Sequence, residues 1–227
     1  MDSTPSWSSF MNARYLPATT ALTTVAVLLL AAGGCAKDSS TGSGEEKIAG
    51  PEQSSKAPTP GASAPAPGGT ERPKITLPGT FRMDFEGWTN SDRKLQAILS
   101  DGGEELRSKH AAIIEGDPES DAVAFYNSGA SLDSARKWIK SFVDDDNSLI
   151  GGVRVFAPQV HINESGSGVL FYCVDERKAS TKNRKTGEIT ATPDNADSVL
   201  QYRARLDRTS QGVWKTVSLE TVPGACG

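Results

Sequence analysis

Histidine occurs only twice, at His110 and His161, and cysteine three times, at Cys35, Cys173 and Cys226. So scattered a set lacks the close His/Cys spacing that holds zinc, and no metal or other cofactor is expected. A Gly-rich phosphate loop and a nucleophile elbow are also missing, which removes the commonest signals of nucleotide chemistry and of serine hydrolysis. Acidic and basic residues nearly balance, 28 against 24, for a net charge of −4. Such a balance gives no basic surface for nucleic acid. No apolar run reaches the roughly 20 residues that a membrane-crossing helix needs.

The longest apolar run, ALTTVAVLLLAA from Ala21 to Ala32, has 12 residues, with Arg14 ahead of it and Gly33-Gly34 behind. That length and those flanks fit a secretory signal segment over residues 1–34. Met11 gives a more compact start than Met1, with the positive charge closer to the apolar run.

Ala32-Gly33-Gly34-Cys35 resembles the lipobox of bacterial lipoproteins, with Ala32 where Leu is usual. The resemblance implies that Cys35 is diacylated and becomes the first residue of the mature chain, on the outer face of the cell membrane. Each buried CH₂ contributes about 0.8 kcal/mol and a single chain holds a protein only reversibly, so two chains make a firm anchor. With Cys35 carrying lipid, Cys173 and Cys226 remain in an oxidising compartment, either joined as a disulfide or left as two free thiols.

Residues 35–76 are rich in Pro, Gly, Ser and Ala and almost devoid of aliphatic side chains. They cannot bury enough apolar surface to offset the entropy of ordering. This is a tether, and about 40 such residues span roughly 35 Å. Residues 77–227 carry a globular mix, long enough for one domain.

The first half of that domain has helical periodicity. The segments are DRKLQAIL, EELRSKHAAIIEG, SDAVAFYNSG and SLDSARKWIKSFV. In the last, Leu132, Ala135, Trp138, Ile139 and Phe142 make one apolar stripe. Gly102-Gly103 predicts a break in the first helix, since each Gly costs about 1 kcal/mol relative to Ala. From Gly151-Gly152 the pattern turns to strand: VRVFAPQVHI, SGVLFYCVDE, VLQYRARLD and VWKTVSLETV. About four strands in a meander are expected, with the last two joined in a hairpin across Arg208 to Gly212. The fold class is α+β, helices packed on an antiparallel sheet.

Cys173-Val174-Asp175, Thr186-Gly187, Trp214 and the final Pro223-Gly224-Ala225-Cys226 resemble a group of actinobacterial lipoproteins with an NTF2-like domain. Tyr172 stands where that group carries an acidic residue. The resemblance implies a curved sheet wrapped on helices as a cone, with a pocket that different members use for catalysis, ligand binding or protein docking.

Candidate site residues are few. Asp175 lies in an otherwise apolar strand, where a carboxylate is costly unless paired. Its expected partners are Arg203 or Arg205 on the next strand, or hydrogen bonds at the Cys173–Cys226 corner. Tyr172, Tyr202, Trp214 and Trp138 are either pocket walls or core anchors. His110 reads as a boundary residue on a helix and His161 as a strand-end side chain. Asp144-Asp145-Asp146-Asn147 lacks the alternating ligands, central Gly and terminal Glu of a calcium loop, and reads as a solvated helix end. Arg177, Lys178, Lys182, Arg184 and Lys185 make a basic arm, able to touch anionic lipid or wall polymers or simply to guard strand edges.

Three readings follow. The first is a lipid-anchored, extracytoplasmic envelope protein, non-catalytic, docking an envelope protein partner. The second is a binding module for a small apolar or lipid-like ligand, and the third an enzyme working through Asp175 or a histidine.

Overall fold

A computed structural model describes residues 70–226. The signal segment, both candidate start methionines, Cys35 and most of the tether lie outside the described residues. The packed chain reaches back into the stretch read as tether, because Arg72 donates two hydrogen bonds to the buried Asp101 carboxylate, at 2.8 and 3.1 Å.

Among the described residues the chain forms three α-helices and seven β-strands. Strand β1 (Phe81–Phe85) leads into α1 (Arg93–Glu115), α2 (Asp121–Tyr126) and α3 (Gly129–Asp144). The remaining strands are β2 (Asn147–Ile162), β3 (Gly168–Asp175), β4 (Ala179–Asn183), β5 (Ile189–Ala191), β6 (Val199–Arg208) and β7 (Trp214–Pro223). The sheet runs in the order β5-β4-β2-β3-β6-β7, antiparallel throughout, and β1 adds to β2 in parallel. The four expected strands are therefore present as the meander β2-β3-β6-β7, and β6 and β7 form the expected hairpin.

Three strands exceed the expected four. Strand β1 is a five-residue segment whose partner, Gly151 to Val155, lies far along the chain, so it carries little local signal. Strands β4 and β5 come from the polar stretch read as a turn. Strand β2 also begins earlier than Gly151, pairing with β4 over Asn147–Gly151 and with β3 from Arg154 onward. Gly151 has φ of 88° at this change of partners, a conformation that glycine adopts freely.

Helix α1 runs unbroken through Gly102-Gly103, against the expected bend. The cost of two glycines is offset by close packing, since a Cβ at Gly102 would stand 2.6 Å from Cδ2 of Leu170 on β3. Asp92 caps the helix start, accepting from the backbone N–H groups of Lys94 and Leu95. Gly116, with φ of 80°, ends it in a left-handed turn. Helix α1 buries Ile98, Leu99, Leu106 and Ile113, and each such side chain contributes about 1.5–3 kcal/mol relative to exposure. The stripe on α3 buries Ala135 and Ile139 fully, with Leu132, Trp138 and Phe142 packed at its margin.

The basic arm is mostly neutralised by its own neighbours. Arg184 caps the C-terminal carbonyls of α1 at Ile113 and Ile114, and Lys185 pairs with Asp146 at 2.8 Å. Asp146 itself closes the end of α3, as the solvated helix end predicts.

Candidate functional site

The interior between α1 and the sheet holds a cluster of buried polar and aromatic side chains. Alternation along the strands sets which residues reach it. On β3, Leu170, Tyr172 and Val174 are buried, and on β6, Leu200, Tyr202, Ala204 and Leu206 are buried. Tyr172 and Tyr202 stand directly opposite each other in the β3–β6 register, with ring centroids 5.0 Å apart and an interplanar angle of 18°.

Above them, α1 contributes a line of charged residues four apart, Asp101, Glu105 and Lys109, each 3% exposed or less. Spacing of four keeps them on one side of the helix. Lys109 Nζ lies 2.9 Å from Glu105 Oε1, and 5.7 and 5.9 Å from the ring centres of Tyr202 and Trp138. Asp101 holds a different corner, accepting from the backbone N–H of Trp214 at 2.9 Å as well as from Arg72. Burial, then the nearby Glu105 charge, drives the Tyr172 phenol well above its ordinary value. Tyr202 rises for the same first reason, with Glu176 and Glu105 adding to it. Both phenols are neutral donors at physiological pH.

Two further titratable groups are buried here. Glu176, at the junction of β3 and β4, is 4% exposed, and burial together with the Asp175 charge pushes its carboxyl up to about 8. His110 is buried rather than on the helix boundary. Its Nδ1 lies 2.9 Å from the Leu106 carbonyl, which can only accept, so Nδ1 carries the proton. Its ring stacks on Phe81 at 5.5 Å and meets Trp138 edge-on at 5.7 Å. Burial, reinforced by the Lys109 charge, lowers its imidazole to about 4, so it is neutral as well.

Trp88, in the loop after β1, completes the wall. It meets Phe85 edge-on at 4.8 Å and Tyr172 at 5.4 Å.

Of the residues singled out from sequence, Tyr172 and Tyr202 are brought together and Trp214 is buried close by, through Asp101. The others point away. Asp175, Arg203 and Arg205 lie on the opposite face of their strands, and His161 is exposed near the far end of β2. The expected partner of Asp175 is also replaced: it binds Arg177, with contacts of 2.7 and 2.9 Å, rather than an arginine of β6 or the disulfide corner. Residue Arg177 is two positions away and reaches back over the strand end, which a cross-strand argument does not anticipate. Those hydrogen bonds hold the Asp175 carboxyl below its ordinary range. Arg203 pairs with Glu220 and Arg205 with Asp207.

The disulfide is formed between Cys173 and Cys226, with Cα atoms 6.0 Å apart. It fastens the chain end after β7 to β3.

Glu105, Lys109, Glu176 and Trp88 were not legible as site residues. The available signal was the repeat of Asp101, Glu105 and Lys109 within a helix that also carries Ile98, Leu106 and Ile113, leaving no side wholly free for solvent.

No protein-family model and no curated protein matches this chain. Among solved structures it is similar to a ketosteroid isomerase-like protein from Erwinia carotovora atroseptica, at 14% identity over 57% of this chain and 95% of that one, with a TM-score of 0.41. It is similar also to Aln2 from a Streptomyces species, at 12% identity over 56% and 90%, with a TM-score of 0.40. A third is the intermembrane space region of the chloroplast protein ARC6, at 8% identity over 60% and 99%, with a TM-score of 0.39. No helix among the described residues is long and apolar enough to cross a membrane.

Proposed function

We propose that this chain is a lipid-anchored extracytoplasmic envelope protein whose folded domain, an NTF2-like cone, is a non-catalytic binding module for a small apolar ligand. The observation that carries the binding reading is the interior itself, where stacked Tyr172 and Tyr202, Trp88 and Trp138 surround polar groups that a purely structural core would replace with aliphatic side chains. Buried polar groups are costly unless met, and such clusters in concave, largely apolar surroundings are ligand sites. The Cys173–Cys226 disulfide supports an oxidising compartment. Residue Cys35 supplies the anchor and residues 36–69 the reach.

Protein docking has the tether in its favour, and the outer face of the sheet offers it a surface. There Phe156, Val169 and Phe171 are half-buried beside Arg154, Arg203 and Arg205.

Native mass spectrometry of the exported protein separates the two. Extra mass on the folded chain, lost on denaturation, supports the binding module. A bare folded mass together with specific crosslinks from the outer sheet face supports docking instead. Fractionation tests the anchor: Cys35→Ser is expected to move the protein from membrane to medium, and unchanged fractionation would overturn it.

A further inference from the structure

The indole N–H of Trp88 is buried and, among the described residues, nothing accepts from it. An indole nitrogen is a donor only. Left unmet away from water it costs on the order of 1–3 kcal/mol, and native structures keep few such groups.

The orphaned donor is held in place rather than left loose. The Trp88 ring is fixed edge-on by Phe85 and Tyr172. It also lies against α1 at Gly103, where a Cβ would stand 3.5 Å from Cζ3. The loop that carries it is tied to the same helix. Gln96 donates to the Trp88 carbonyl at 3.4 Å and accepts from the Asn90 backbone N–H at 2.7 Å. A donor fixed in this way is preorganised for an acceptor that the chain does not supply.

The surroundings define the rest of that partner. Its walls are aromatic, Tyr172 stacked on Tyr202 with Phe85 and Trp138 near, which suits a flat, apolar body. Charge is balanced: Glu105 and Lys109 satisfy each other, the tyrosines and His110 are neutral, and the Glu176 carboxyl stays protonated to about pH 8. A charged ligand would enter with no free counter-charge, so the acceptor belongs to a neutral group.

We propose that the interior beside Trp88, Tyr172 and Tyr202 is a binding site for a small, flat, uncharged molecule whose carbonyl or ether oxygen accepts the Trp88 indole N–H. This rests on the binding-module reading and adds the ligand's chemistry to it.

The test uses the exported full chain carrying Cys35→Ser, so that no detergent is present, and two probes of one shape. 2-Acetylnaphthalene has the carbonyl acceptor, and 2-isopropenylnaphthalene replaces that oxygen by CH₂. The acetyl probe is expected to bind about tenfold tighter or more, the scale of one buried hydrogen bond made or left unmet. Trp88→Phe keeps an aromatic wall and removes the donor, so it should erase the preference while leaving the isopropenyl affinity within about twofold. In the unsubstituted protein, the Trp88 indole proton resonance should move downfield with the acetyl probe alone, a readout that survives if Trp88→Phe folds poorly. Equal affinities with Trp88 present, or a preference that persists without it, would overturn the assignment of the acceptor and leave the binding module standing. Binding of neither probe would overturn both.

Discussion

Glu105 and Lys109 face each other across one turn of α1, carboxylate to ammonium at 2.9 Å, with only 2% and 4% of their side chains exposed. Desolvation of two such charges roughly cancels their attraction, so the pair as a whole adds little stability, whereas removing one partner strands the other. Lys109→Met alone is expected to lower unfolding free energy by about 3–5 kcal/mol, and Glu105→Leu with Lys109→Met to recover most of it. Urea unfolding of the three proteins decides the matter. Equal losses in single and double variants would mean that the charges are not coupled.

The two glycines of α1 should respond oppositely to alanine. At Gly102 the new methyl meets Leu170, which is itself fully buried and has nowhere to turn. Overpacking of this kind costs about 1–3 kcal/mol and outweighs the helix gain of up to about 1 kcal/mol. At Gly103 the nearest atoms stand at 3.4 and 3.5 Å, ordinary contact, so the helix gain should survive. Thermal melting is expected to fall for Gly102→Ala and to hold or rise for Gly103→Ala.

Stability should depend on pH from both sides. The unfolded Glu176 carboxyl releases its proton near 4.5, while the folded one keeps it to about 8. Its contribution is therefore full below pH 4.5 and drains away as pH rises to about 8. For His110 the sign reverses, because the unfolded imidazole protonates near 6.5 and the folded one only near 4. That contribution is full above pH 6.5 and is lost as pH falls to about 4. Melting temperatures measured from about pH 4 to 9 should decline above pH 6.5 in the parent and stay level there in Glu176→Gln, while His110→Asn should soften the acid side. A parent curve that is level from pH 6.5 to 8 would contradict the Glu176 assignment.

Removing the disulfide should cost more than any of these single changes except the stranded charge. Cys173 and Cys226 are 53 positions apart, and the chain-entropy model gives about 4 kcal/mol for a loop of that length. Cys173→Ser with Cys226→Ser, compared with the parent in denaturant with and without reductant, reads this directly. Reductant should lower the parent to the level of the double variant and leave the variant unchanged.

The parts of the fold open to sequence reasoning were those with a local period. The α3 stripe and strands β2, β3, β6 and β7 carry their pattern within ten or so residues, and the Tyr172 and Tyr202 alternation places both on the inner face. Strand β1 and the unbroken α1 depend on partners distant in sequence: Gly102 looks like a weakness until Leu170 is set against it. Asp175 drew attention as a carboxylate in an apolar strand, yet alternation alone assigns it to the outer face with Arg203 and Arg205. Glu105 and Lys109 stayed hidden for the opposite reason, since charged residues on a helix are by default read as solvated.

Strand β1 enters the sheet by pairing Phe81 with Gly151, 70 residues further on. A chain emerging from its N-terminus therefore presents this strand, and then all three helices, before any seam exists to receive it. Most of the remaining strand pairing is also between distant segments, and domains with this kind of topology fold on the order of milliseconds to seconds rather than microseconds. Until β2 arrives, the phenylalanines at the two ends of β1 have no sheet to join, and the apolar face of α1 has nothing to cover. The segment nearest the tether is thus the first made and among the last secured, and its waiting time is set by the chain that follows it.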